Sequence, residues 1–388
     1  MAKAAAMRVE VRPAMLRWAR ERAGLDPDTL AHRFPKLADW EDAEKKVRPT
    51  LKQLEAFARA THAPVGYLFL PEPPLERVPI PDFRTAGNQR IGHPSPDLLD
   101  TVYICQQRQE WYRDFARSVR EEALPFVGTA TVQSDVEQTA ALIRHALGFD
   151  IEERRQCATW AEALSRFIEQ ADDLGVLVMT GGIVASNTHR KLDPDEFRGF
   201  ALADGIAPLV FINGADTKSA QMFTLAHELA HLWLGQSALS DVSPVSSPTN
   251  GVEIWCNRVA AELLVPLAVL KAEYQIGEDL RGALDRLARR FKASTLVILR
   301  RIHDAGGLTQ KGLWQAYNEE LERLRQFAPK GGGGNFYNTE AARVGKRFAR
   351  ALIVSTLEGQ TLHRDAFRML GFSKHSTFHE LARRLEVA

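Results

Sequence analysis

The sequence predicts an α+β fold, mostly α, built from modules. Three observations predict it. Short apolar runs at helical spacing fill residues 13–70. Seven prolines crowd into residues 71–96. Three strand-length apolar runs, at residues 175–180, 197–203 and 208–212, then lie among longer helical patterns. At ~100–200 residues per domain, 388 residues make two to four domains.

The elements follow in order. Pro13 opens a first helix with Leu16, Ala19 and Ala23 on one face and Gly24 as its stop. Asp26-Pro27-Asp28 starts a second, a third is expected over residues 37–46, and Thr50 caps a fourth carrying Leu51, Leu54, Phe57 and Ala58. Residues 64–70 allow one more turn. The proline-rich stretch reads as a stiff connector. Long helices are expected over 97–122, 135–147 and 159–174. The three strands follow, the last closed by Asn213-Gly214, and then a helix over 217–234. Residues 237–250, rich in Ser, Pro and Thr, read as a loop. A helix resumes at Glu253 and ends or bends at Pro266, and short helices continue to Gly307. Gly331–Gly334 reads as a flexible joint before a small basic helical tail. The expected organisation is therefore 8–70, a linker 71–96, a main domain 97–310, a helix and Gly-rich linker 311–334, and a C-terminal helical module 335–388.

Composition removes several functions. Hydrophobic residues at 45% and charged residues at 26% describe a globular chain and not a disordered one. Lys+Arg 50 against Asp+Glu 49 leaves no bulk charge for nucleic acid, so any DNA contact must be local. Cys105, Cys157 and Cys256 stand far apart with no C-x-x-C, which excludes a disulfide framework and a cysteine zinc knuckle and points to a reducing, cytoplasmic setting. The longest apolar run, about residues 259–270, contains Glu262 and is shorter than the ~20 residues a membrane span takes. Residues 1–12 lack the apolar stretch of a secretory signal.

The sharpest chemistry is His227-Glu228-Leu229-Ala230-His231, an H-E-x-x-H inside an apolar helical pattern without glycine or proline. At 3.6 residues per turn both histidines share one face and can hold one Zn²⁺. Glu228, one residue on, is not placed as a ligand but can take the proton of water activated by the metal. A third ligand is needed. The next histidine, His303, is 72 residues beyond His231. Among acids, Glu253 opens the next helix and is preferred, Glu262 comes second and Asp241 third. Glu262 lies nine residues after Glu253, two and a half turns, so it faces away when Glu253 faces in. Mn²⁺ could take the same ligands as zinc.

The run Met222–His231, Met-Phe-Thr-Leu-Ala-His-Glu-Leu-Ala-His, and the run from Glu253 to Pro266, Glu-Ile-Trp-Cys-Asn-Arg-Val-Ala-Ala-Glu-Leu-Leu-Val-Pro, resemble the ImmA/IrrE family of metallopeptidases. That family reads RFTLAHELGH and then E-x-x-A-N-x-F-A-A-x-L-L-M-P. Asn257 and Pro266 fall in register, while Ala230, Cys256 and Val259 depart at packing positions. The resemblance covers about residues 160–310. It implies a zincin-like domain with a small sheet, metal ligands His227, His231 and Glu253, Glu228 as general base, and peptide-bond hydrolysis. Tyr274, His303 and Arg258 are candidates for an oxyanion helper, and the strand at 208–212 could offer a free edge to an extended substrate.

The N-terminal helices resemble an Xre-type helix-turn-helix through Trp40-Glu41, Pro49-Thr50, Gln53-Leu54, Ala58 and residues 64–70. Asp39, Glu41, Asp42 and Glu44 make the third helix a poor face for phosphates, and Ala43 replaces the usual glycine. Residues 1–70 carry 13 Lys+Arg against 9 Asp+Glu. The module would bind DNA or a protein, or dimerise. Together these readings imply a regulatory zinc endopeptidase whose protein substrate is a repressor or similar regulator. The alternative is a DNA-binding regulator or antitoxin-like partner protein with a vestigial site.

Overall fold

The computed structural model describes residues 7–83, 85–86, 89–90, 94–240, 250–326 and 342–387. Asp241, the third ligand candidate, and the joint at Gly331–Gly334 lie outside them. The chain forms two compact units, one from the N-terminal part up to Pro79 plus the stretch ending at Asp100, the other from Ile80–Arg90 and Thr101 onward. Among the described residues no helix is long and apolar enough to cross a membrane.

The smaller unit holds α1 (Pro13–Arg22), α2 (Pro27–Ala31), α3 (Leu37–Trp40), α4 (Leu51–Ala60) and a 3₁₀ turn, Val65–Phe69. Leu16, Ala19, Leu54, Phe57 and Leu68 form its core. Thr50 and Gln53 close a capping box at α4, which fixes where that helix begins. The third helix is shorter than expected. It stops at Trp40 because local side chains compete for the backbone: Asp42 accepts the Glu44 N–H at 3.1 Å, and Glu41 turns to Arg20 at 2.8 Å.

The larger unit contains a hairpin of β1 (Thr85–Ala86) and β2 (Gln89–Arg90), then α5 (Pro96–Ser118), whose first residues belong to the smaller unit. It continues with α6 (Val136–Leu147), α7 (Ile151–Gln156), α8 (Trp160–Asp173), β3 (Leu177–Gly181), β4 (Gly199–Leu202), β5 (Leu209–Asn213) and α9 (Lys218–Leu234). After these come β6 (Ala238–Ser240), α10 (Gly251–Leu264), α11 (Leu267–Glu273), α12 (Leu280–Phe291), α13 (Thr295–Asp304) and α14 (Gln310–Gln326). The C-terminal helices are α15 (Lys346–Leu357), α16 (His363–Leu370) and α17 (His375–Arg384).

The sheet runs β3-β5-β4-β6, with β3 and β5 parallel and the other pairs antiparallel. Two expectations change here. The strand at 208–212 is not a free edge: β5 is flanked by β3 and β4, with Phe211 opposite both Met179 and Phe200. And the start of the 237–250 loop is a strand, β6, which Ser-rich composition hid because its pairing comes from β4. Within the proline-rich stretch, Asp82 bridges Leu239 of β6. The core is built around α9, α10 and the sheet, with Val178, Val210, Ile212, Met222, Leu225, Leu229, Val259 and Leu263 fully buried. At the β3 edge, Gly345 (φ +82°) passes so close that a Cβ would stand 2.8 Å from the Val178 carbonyl oxygen.

Candidate metal centre

Helix α9 carries the H-E-x-x-H. Thr217 caps it by accepting the Ala220 N–H at 3.3 Å, and Gly235 ends it in the left-handed region. Every residue from Gln221 to Leu234 is buried, so the histidines are held by the core and not by a surface loop. Helix α10, capped by Asn250, packs against α9 and brings Glu253 in its first turn to the same point.

The three donors converge. Nε2 of His227 and Nε2 of His231 are 3.1 Å apart. Glu253 places Oε2 at 3.3 Å from the first and Oε1 at 3.1 Å from the second. A tetrahedral zinc with bonds of ~2.0–2.1 Å has ligand atoms about 3.3–3.4 Å apart, so this spacing fits a single small divalent ion. The group is the one among the described residues whose His, Cys, Asp and Glu donors sit this close together, and all three members are buried.

Two residues that the sequence reading left without a role complete the surroundings. Asn257, one helical turn after Glu253, sets its Oδ1 3.0 Å from Nδ1 of His227. The amide oxygen then accepts the Nδ1–H and leaves Nε2 free to face the metal point. Ser240, from β6, puts its hydroxyl 3.2 Å from His231 Nε2 and 3.3 Å from Glu253 Oε1. The spacing Glu253 to Asn257 could have pointed to the first. Nothing local in the sequence pointed to Ser240, because its place depends on β6 pairing with β4 across Gly199.

Charge behaves as a metal site requires. Burial lowers the basicity of His231 and keeps its imidazole neutral, with the neighbouring His227 acting the same way and Glu253 opposing. Burial pushes the Glu253 carboxyl up, but the two imidazoles outweigh it and hold it at about 2, so it is ionised. Glu228 is fully buried, and burial, reinforced by the charge of Glu253, raises its carboxyl well above the ordinary value. The Ser240 hydroxyl opposes this rise, although neither Glu228 oxygen makes a hydrogen bond of ordinary geometry among the described residues. A divalent cation at the three-donor point would reverse that penalty by lending a positive charge to the same pocket. Burial, with the charges of Glu253 and Glu228, pushes the Cys256 thiol up, and its sulfur is not among the converging donors.

Gly199 explains how the pocket is closed. A Cβ there would meet Thr224 Cγ2 at 2.5 Å, the Phe211 carbonyl oxygen at 2.7 Å and Glu228 Cγ at 3.5 Å, so β4 lies directly on the α9 face that carries the general-base candidate. Glu262 pairs with Arg301. Tyr274 packs against Gly307, Arg258 is exposed, and His303 faces Asp304 at 3.6 Å.

Two imidazoles and a carboxylate around one point, with a buried acid beside them, form the donor set of mononuclear metallohydrolases. Residues 171–303 match a peptidase-family model described as the IrrE N-terminal-like domain, and residues 344–384 match a domain family of unknown function, DUF8813. No curated protein and no solved structure matches the chain. The matched peptidase segment contains all three donors and Glu228, so that part of the chain is similar to the IrrE N-terminal-like domain.

Proposed function

We propose that this chain is a zinc-dependent endopeptidase that acts in the cytoplasm on a regulatory protein such as a transcriptional repressor. The observation that carries the reading is the convergence of His227, His231 and Glu253 on one point, with the buried carboxylate of Glu228 on the same helix as the two histidines. His227, His231 and Glu253 hold the metal, with Mn²⁺ as the substitute the same donors would accept. When bound, Zn²⁺ supplies Lewis acidity for the scissile carbonyl and lowers the pKa of water toward ~7.

Glu228 holds and moves the proton. As a carboxylate it takes one from the attacking water at an Oε atom, and it returns that proton to the leaving amine. Asn257 orients His227, and the closed face formed by Gly199 and Thr224 keeps bulk solvent from the acid. The regulatory role rests on the peptidase-family match together with the separate N-terminal helical unit. That unit carries the Xre-like motif and would target the enzyme to DNA or to a protein partner.

The deciding experiment is Glu228→Gln in the zinc-loaded full chain. Zinc content by elemental analysis is expected to stay near one per chain, while proteolysis drops by roughly 10²–10⁴-fold. Full biological effect from a Glu228→Gln chain would end the peptidase reading and leave a binding role.

A further inference from the structure

Strand β6 connects the candidate metal centre to the proline-rich stretch. On one side it pairs with β4. On the other, both main-chain groups of Leu239 are taken by the chain's own linker: the Leu239 N–H donates to the Pro81 carbonyl at 2.9 Å, and the Phe83 N–H donates to the Leu239 carbonyl at 2.9 Å. The pairing is parallel, centred on Asp82 and Leu239. The next residue of β6 is Ser240, whose hydroxyl touches His231 and Glu253. The linker therefore lies along the outer strand of the four-stranded sheet, one residue from the donor set.

The geometry points to an internal strap: the Pro81–Phe83 segment occupies the edge on which an extended substrate would dock, and it must leave for a substrate strand to add to β6. This rests on the peptidase reading of the site. Strand addition is the usual way for a sheet edge to hold an extended peptide, and its affinity comes from the main-chain groups that the strap now uses. The strap's composition suits a reversible plug. Pro79 and Pro81 stiffen it in an extended form, which cuts the entropy lost on docking. Pro81 has no N–H to donate, so the segment cannot itself recruit a further strand through that position. Ile80 is buried and anchors it. Because the strap is tethered, its effective concentration is in the millimolar range, enough to exclude weak substrates until a partner or signal pulls it away.

The test uses the zinc-loaded full chain with Phe83→Pro, which deletes the N–H that bonds Leu239, and with Ile80→Asp, which removes the anchor by a different route. Hydrogen exchange is read first: Leu239 should exchange at least tenfold faster in both variants while β4 (Gly199–Leu202) stays protected, which shows that the sheet is still folded. In a Glu228→Gln background, fluorescein-labelled β-casein, an extended polypeptide, should then bind about fivefold more tightly to each strap variant than to the parent. Excess peptide of residues 78–84 should erase that gain. Unchanged casein affinity once Leu239 exchanges freely overturns the strap. With Glu228 restored, tighter binding without any cleavage keeps the docking edge and ends the peptidase reading, whereas cleavage by parent and variants at equal rates overturns the strap alone.

Discussion

Helix α10 carries two buried glutamates with opposite fates. Glu253, in its first turn, faces two imidazoles and is held ionised at about 2. Glu262, nine residues on and across the helix, faces Arg301 and accepts the Leu267 N–H, and burial still raises its carboxyl above the ordinary value. Around Glu262, Arg144 donates to the Glu262 carbonyl at 2.8 Å, Arg154 to the Leu264 carbonyl, and Arg301 to the Val265 carbonyl at 2.9 Å. Three guanidiniums thus terminate the helix where its dipole is negative. One end of α10 is committed to holding the fold together. The other end is left with donors that lack a permanent counter-charge of their own, and that contrast marks it as the functional end.

Removing each acid sharpens the comparison. Glu253→Ala is expected to abolish stable zinc binding, a larger effect than the ~10–100-fold loss that follows removal of a supporting partner. A zinc titration against a chelator checks it, and a variant that still carries one tight zinc would break the assignment. Glu262→Ala is expected to leave zinc stoichiometry intact and to destabilise the chain by less than the ~3–5 kcal/mol of a fully broken buried pair, because Arg301 loses Glu262 but keeps Asp304 at 3.2 Å. Denaturant unfolding of the zinc-loaded chain measures that cost. Loss of zinc with little loss of stability would mean the two roles had been exchanged.

The contrast between the two glutamates was largely legible in the sequence. Nine residues is two and a half turns, so spacing alone put Glu253 and Glu262 on opposite faces, and H-E-x-x-H fixed which face mattered. The arginines were not legible in this way. Arg144, Arg154 and Arg301 come from three separate helices, and no local pattern says that they meet at the end of α10. The same limit hid Ser240 and β6, since a three-residue strand in a Ser-rich stretch becomes a strand only when β4 supplies its partner. It also misplaced the substrate edge at β5, a strand whose neighbours on both sides are set by topology and not by its own composition. Helix starts were the easiest to read, because Thr50, Asp135, Thr159 and Thr217 each cap with their own side chains.

Within the metal end, a finer variant asks how much depends on orientation. Asn257→Ala removes the acceptor at Nδ1 of His227 without touching a donor. Zinc affinity is expected to fall about 10–100-fold, and Asn257→Asp, which keeps an oxygen there, should recover part of it. Equal loss in both variants would point to packing on α10 and away from the hydrogen bond.

A third buried acid shows what happens when the opposing charges fall short of the cost of burial. Asp172, near the end of α8, accepts the Val178 N–H at 3.4 Å through Oδ1, while its Oδ2 has no partner among the described residues. Burial raises its carboxyl from 3.8 to about 7, with the Val178 N–H and the charges of Lys346 and Arg347 opposing. An acid whose folded value is raised favours the folded state below the unfolded value and loses that advantage as pH climbs through the folded one. Asp172 therefore weakens the fold most above pH 7 and least near pH 4. Asp172→Asn keeps the acceptor for Val178 and removes the charge. It should stabilise the chain by on the order of 2 kcal/mol at pH 8, below the ~1.36 kcal/mol per pKa unit ceiling because the site can relax, and by roughly 40% of that at pH 5, where part of the penalty is already present. Thermal unfolding at the two pH values reads the difference. A gain of equal size at both would show that the carboxylate is never the costly form, and the three buried acids would then differ in packing and not in the charge each one faces.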